Sequence, residues 1–137
     1  SQDVPIFPTS TIIQNATTTE LDEATLAAYD VPFPDERYKA GARMFPLLVP
    51  TSPDSPEAQA NRQAWEKLKQ FKKPFITAFG DSDPITSGGD KLFQKLVPGS
   101  KGMVHTRIAN GGHFIQEDKG EELANLLIQF IQQTQRK

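Results

Sequence analysis

The sequence predicts an α/β chain, with a helical segment over residues 1–72 and a strand–helix–strand–helix unit over residues 73–137. Three observations lead there. Of the 11 prolines, 8 lie in residues 1–72, where little alternates like a strand. Beyond residue 72, short apolar runs alternate with helical patterns, the order expected of parallel strands joined by crossovers. Finally, a polar glycine-bearing stretch follows each predicted strand: Phe79-Gly80-Asp81-Ser82-Asp83-Pro84 and Asn110-Gly111-Gly112-His113-Phe114.

In residues 1–72, Thr19 reads as an N-cap with Asp22 placed for a capping box, opening a helix through about Tyr29. Val31-Pro32-Phe33-Pro34 is an extended connector, because each proline turns its predecessor away from helical angles. Residues 35–45 read as a second helix with Tyr38, Ala42 and Phe45 on one face. Residues 46–56 form a proline-rich break. Ser55 caps a third helix with Pro56 at its first position, reaching about Phe71 with Ala58, Trp65 and Leu68 inward.

The second part begins with Pro74-Phe75-Ile76-Thr77-Ala78-Phe79, an apolar run bounded by proline and glycine, as in a buried parallel strand. Residues 80–89 are a loop. A helix from about Gly89 to Val97 is stopped by Pro98-Gly99, and residues 103–108 alternate as a second strand. The last helix spans about Lys119 to Gln133 with Leu123, Leu126, Leu127, Phe130 and Ile131 as its apolar stripe.

Composition excludes several classes of function. A net charge of −2 and a pI near 5.7, with Lys and Arg scattered, offer no basic face for nucleic acid. The absence of cysteine removes disulfides, thiol catalysis and thiolate metal sites, and fits a reducing compartment. No apolar run approaches the roughly 20 residues needed to span a bilayer, and no basic-then-apolar leader opens the sequence. Asn15-Ala16-Thr17 matches a glycosylation sequon, but no secretory signal accompanies it. The expectation is a soluble, cytoplasmic chain with no membrane or nucleic-acid partner, no metal and no cofactor.

The loops after two parallel strands emerge at one edge of the sheet, where open α/β folds bind ligands. Asp83 lies four positions past Phe79, and His113 five past Ile108. Because neighbouring strands are about 4.8 Å apart, short loops can bring the two side chains into hydrogen-bond reach. An aspartate bonded to one ring nitrogen fixes the tautomer, leaving the other nitrogen to take a proton from a hydroxyl or water. The plainer alternative is a histidine tying down a loop. Asp81, nearer the strand end, reads as a turn residue. His105 reads as a surface residue, and Trp65 and the tyrosines as core. Glu117 and Asp118 suit the positive end of the last helix and are assigned no chemistry.

Two long stretches also resemble a known family. Residues 80–90, Gly-Asp-Ser-Asp-Pro-Ile-Thr-Ser-Gly-Gly-Asp, and residues 111–118, Gly-Gly-His-Phe-Ile-Gln-Glu-Asp, resemble the acid and base segments of haloalkane dehalogenases in the α/β-hydrolase superfamily. Residues 28–35, 38–43 and 45–50 are similar to the cap-domain helices of the subfamily that carries its acid after the seventh strand. The resemblance implies the C-terminal part of an α/β-hydrolase fold, its last two parallel strands with flanking helices, plus a helical cap segment over 1–72. It implies Asp83 as triad acid and His113 as base, with Phe45, Val49, Ile85 and Phe114 lining a dry substrate pocket. The implied substrate is a small apolar haloalkane, converted to alcohol and halide ion through an aspartyl alkyl-enzyme ester. Family members are about twice this long. The nucleophilic aspartate, oxyanion amides and halide-binding tryptophan are therefore expected in a missing N-terminal half, and this chain alone is expected to be inactive. An epoxide hydrolase using Tyr29 or Tyr38, an esterase of the same fold, and a non-catalytic self-associating fragment are the alternatives.

Overall fold

The computed structural model describes residues 6–135. Six α-helices and one two-stranded parallel sheet follow in the order α1 Thr9–Asn15, α2 Glu23–Asp30, α3 Ala40–Met44, α4 Pro56–Leu68, β1 Ala78–Gly80, α5 Gly89–Leu96, β2 Thr106–Ile108 and α6 Ile115–Thr134. Helix α1, which no pattern in the sequence announces, packs against α2. The cap of α2 is Asp22, whose Oδ1 accepts from the Thr25 amide at 2.7 Å, rather than Thr19. Residues 35–45 are not one helix. Asp35 caps a 3-10 turn over Glu36–Lys39, α3 follows, and a second 3-10 turn covers Phe45–Leu48. Glu36 accepts from both Lys39 and Arg43, which shape these turns and hold its carboxyl at about 2. Tyr38 and Phe45 are therefore exposed, not core.

Helix α4 begins where its cap chemistry says. Ser55 Oγ accepts from the Ala58 amide at 3.1 Å, and Pro56 occupies the first turn, where its missing N–H costs nothing. Ala58 is buried, while Trp65 and Leu68 are half-buried. The Trp65 ring lies 5.1 Å from Phe93 of α5, and Phe75 and Phe79 complete an aromatic cluster around Phe93. This cluster fastens α4 and α5 to the segment leading into β1.

The strands pair in parallel with Ala78 opposite Thr106, Phe79 opposite Arg107 and Gly80 opposite Ile108. Both are shorter than the sequence pattern suggests. Phe75 donates instead to the Gly99 carbonyl, and the Thr77 amide is taken by the His105 ring, so regular pairing starts only at Ala78. Ile108 and Val97 are the most deeply buried side chains. Helix α6 starts four residues earlier than its apolar pattern, and its backbone leaves helical angles at Lys119 (φ −144°, ψ 37°). Leu123, Leu126 and Phe130 are half-buried, but Leu127 and Ile131 of the expected stripe are exposed. Among the described residues, no helix is long and apolar enough to cross a membrane.

His105 is no surface residue. Its Nδ1 accepts from the Thr77 amide at 3.1 Å, so its proton sits on Nε2, which donates to the Ser100 carbonyl at 3.0 Å. Thr77 and Ser100 are both buried. Replacing His105 by alanine strands the Thr77 amide, at about 1–3 kcal/mol, while the Ser100 carbonyl keeps the Met103 amide at 3.2 Å. Urea unfolding of the variant is expected to show a midpoint lowered accordingly; a loss within about 0.5 kcal/mol, the range of ordinary surface changes, would contradict this.

Candidate active site

The two loops at the carboxyl ends of β1 and β2 are stitched together largely through their backbones. The Asp81 amide donates to the Ile108 carbonyl at 3.1 Å and the Ser82 amide to the Gly111 carbonyl at 3.1 Å. Asp81 lies in a turn, where its Oδ1 accepts from the Ser82 hydroxyl at 2.9 Å, and it also bridges the loops by accepting from the Asn110 amide at 2.8 Å. Asn110 adopts a left-handed conformation (φ 57°), which asparagine tolerates better than most residues. The backbones touch closely: a Cβ built on Gly80 would lie 2.1 Å from the Gly111 carbonyl oxygen.

On this scaffold Asp83 turns inward. Its side chain is 7% exposed against 33% for His113, and His113 Nδ1 stands 3.1 Å from Asp83 Oδ2. A carboxylate only accepts, so Nδ1 carries the proton and Nε2 is left as an acceptor. Asp83 Oδ1 accepts from the Ile85 amide at 2.8 Å, and the Thr86 hydroxyl donates to Oδ2. Burial raises the carboxyl's pKa, but the hydrogen bonds from Thr86, His113 and the amides of Ile85 and Thr86 outweigh it. The net shift is below the ordinary aspartate value, so the group stays charged. Thr86 escaped the sequence reading, although its place three residues after an aspartate at a turn is the kind of local signal that could have marked it.

A cavity of about 210 Å³ lies between the pair and the strand ends, lined by Ala78, Phe79, Gly80, Thr86, Gly112 and Ile115 besides Asp83 and His113. A smaller one of about 110 Å³ lies where Ser82, Pro84 and Ile85 face His113 and residues 15–18. Ile85 thus sits beside the imidazole while remaining 68% exposed, and the half-buried Phe114 ring meets that of His113 edge-on at 5.4 Å. Phe45 and Val49 are exposed at the 3-10 turn after α3 and line neither cavity.

Asp118, given only a dipole role by the sequence, accepts from three amides: Gly112 at 2.7 Å, Thr18 at 2.9 Å and Thr19 at 2.8 Å. Burial opposes its charge, but these amides prevail and its pKa is lowered. Glu117 accepts from the Tyr29 hydroxyl, whose pKa is raised by that bond. Nothing in the sequence alone signals either tie, because both partners lie about 90–100 positions away. Among the described residues, no group of three His, Cys, Asp or Glu could hold a metal ion.

Parallel strands whose carboxyl ends present an acid and a histidine, with helices packed around them, are the closing portion of an α/β-hydrolase fold. The comparisons narrow this. The chain is 57% identical over 131 residues to a haloalkane dehalogenase of Psychrobacter cryohalolentis, covering 96% of this chain and 43% of that protein. It is 47% identical to a haloalkane dehalogenase of Mycobacterium marinum, over 90% of this chain and 41% of that protein. It is 46% identical to haloalkane dehalogenase 1 of Mycobacterium bovis, over 95% of this chain and 43% of that protein. No family model matches the chain. With identity this high along nearly its whole length, the chain belongs to the haloalkane dehalogenases, and it spans less than half the length of the relatives it matches.

Proposed function

We propose that the complete protein hydrolyses small apolar haloalkanes to alcohol and halide, with this chain supplying the acid and base of a catalytic triad. A carboxylate from the part of the fold outside this chain attacks the halogen-bearing carbon. The carbon–halogen bond breaks, halide leaves, and an alkyl ester remains on the enzyme. His113 then takes a proton from water through Nε2, the hydroxide adds to the ester carbonyl, and the alcohol departs with the carboxylate restored. Asp83 holds the ring with Nε2 free and stabilises the imidazolium formed at that step. Residues 1–72 would form the helical cap and residues 73–137 the core portion, with Phe45, Val49, Ile85 and Phe114 contributing apolar walls once the fold is complete. Such walls exclude water from an uncharged substrate.

The observation that carries this reading is the Asp83–His113 hydrogen bond at the sheet's carboxyl edge. The epoxide hydrolase alternative draws no support from the tyrosines. The Tyr29 hydroxyl is given to Glu117, Tyr38 is exposed at the surface, and neither lines the cavity beside His113.

The test is complementation. The chain is mixed with the portion of the Psychrobacter cryohalolentis dehalogenase lying outside the matched 131 residues, and a bromoalkane is added. Halide and acid release are expected from the mixture and from neither part alone. A folded complex that releases no halide would overturn the proposal.

A further inference from the structure

We propose that Asp118 is a positioning residue for His113: its carboxylate fastens the loop carrying the imidazole to residues 16–19, so that the placement of the helical layer sets the orientation of the ring. The inference rests on reading His113 as the base and extends the machinery to a residue outside the acid–base pair.

The carboxylate gathers N–H groups from two distant segments. One belongs to Gly112, directly before His113; the others belong to Thr18 and Thr19, which follow α1. Residues 16–18 also reach the loop independently. The Ala16 carbonyl accepts from the amides of His113 at 2.8 Å and Phe114 at 3.2 Å, and the Thr18 hydroxyl donates to the Asn110 carbonyl at 2.6 Å. The backbone of the histidine is therefore held by residues 16–18, and Asp118 holds both sides of that junction at once.

The backbone of α6 is shaped for this reach. Its departure from helical angles at Lys119 sets residues 115–118 apart as a separate turn, and Asp118, the last of them, bonds back to Gly112. The fit leaves no slack: a Cβ on Gly112 would stand 2.7 Å from the Ala16 carbonyl oxygen and 2.8 Å from Asp118 Oδ2. Tyr29 of α2, bonded to Glu117, ties the helical layer to the same turn a second time. Without the Asp118 carboxylate three amides lose their acceptor, the loop keeps only its ties to Ala16, Thr18 and the loop after β1, and the aim of Nδ1 at Asp83 loosens.

The chain labelled with ¹⁵N-histidine reports ring orientation directly by long-range proton–nitrogen NMR at alkaline pH, where imidazoles are neutral. His113 is expected to show two well-separated ring-nitrogen shifts of a fixed Nδ1–H tautomer. His105, held as the Nε2–H tautomer by Thr77 and Ser100, shows the opposite pattern and serves as an internal reference. In Asp118→Ala the His113 separation should collapse towards the average of exchanging tautomers while that of His105 persists. Asp118→Asn, which keeps one acceptor oxygen, should give a partial collapse. Asp90→Ala removes the ion pair with Arg107 and loosens the fold elsewhere, so it should leave His113 unchanged.

A fixed His113 tautomer in folded Asp118→Ala, or an averaged one in the unaltered chain, would overturn the proposal. So would an equal collapse in Asp90→Ala. If Asp118→Ala fails to fold, Asp118→Asn decides: collapse at His113 alone supports positioning, whereas collapse at both histidines or at neither refutes it. The readout involves no dehalogenation, so a failed halide assay would sink the functional reading and leave this result standing.

Discussion

In the reassembled enzyme, Asp83→Asn is expected to lower steady-state halide release about 10⁴-fold, the scale seen when a triad acid is replaced by its amide. The carboxylate accepts the Nδ1 proton at 3.1 Å, together with the Thr86 hydroxyl and the Ile85 amide. An asparagine amide turned towards the ring would donate to Nδ1, moving the ring proton to Nε2 and removing the lone pair that must accept from water. The loss should be confined to the second chemical step, because attack on the halogen-bearing carbon requires no proton transfer. His113→Ala should sharpen this distinction. Halide release is expected to stop after about one equivalent per site, with the alkyl adduct detectable by mass on the complementing polypeptide, as for a covalent intermediate that accumulates. If both variants abolish the first equivalent as well, His113 is not the base of ester hydrolysis. If Asp83→Asn retains turnover within about tenfold, a difference of only about 1.4 kcal/mol, Asp83 does not orient the ring.

Which features were legible in the sequence follows from how far their causes reach. Ser55 and Pro56 announced the start of α4 because cap chemistry acts within three residues. The acid and imidazole that the structure joins both stand at glycine-bearing ends of apolar runs, again local signals. Thr19 matches the pattern of a capping box, whereas in the fold its amide is claimed by Asp118, 99 positions away. The first strand is shorter than its apolar run because His105 takes the Thr77 amide, which nothing in the strand's own residues signals. Likewise, the apolar stripe of α6 gives its period but not which of its residues meet a partner, and Leu127 and Ile131 stay exposed. The α/β class survived these errors because alternating strand and helix patterns depend on periodicity alone. The ties from residues 16–19 and Tyr29 to the histidine loop depend on tertiary contact and left no trace in spacing.

That contact also makes Gly80 the position where one added methyl group should do most harm. Gly80 ends β1 opposite Ile108, and its missing side chain lets the backbone of Gly111 pass directly over it. A Cβ there would sit 2.1 Å from the Gly111 carbonyl oxygen and 2.6 Å from its carbonyl carbon, so neither atom can yield without moving main chain. Gly111 cannot withdraw freely, because its carbonyl accepts from the Ser82 amide at 3.1 Å. Gly80→Ala must therefore push apart the two loops carrying Asp83 and His113. Overpacking of this kind costs about 1–3 kcal/mol of stability. A displacement of about 1 Å at the reacting groups costs roughly 100-fold in rate. Denaturant unfolding of the chain and halide release by the reassembled enzyme should show both losses together. Gly41→Ala supplies the contrast: it lies in α3 with open space around it, and alanine there should gain about 0.5–1 kcal/mol and leave the rate unchanged. If the two alanine variants behave alike, the apposition of Gly80 and Gly111 does not set the distance between acid and base.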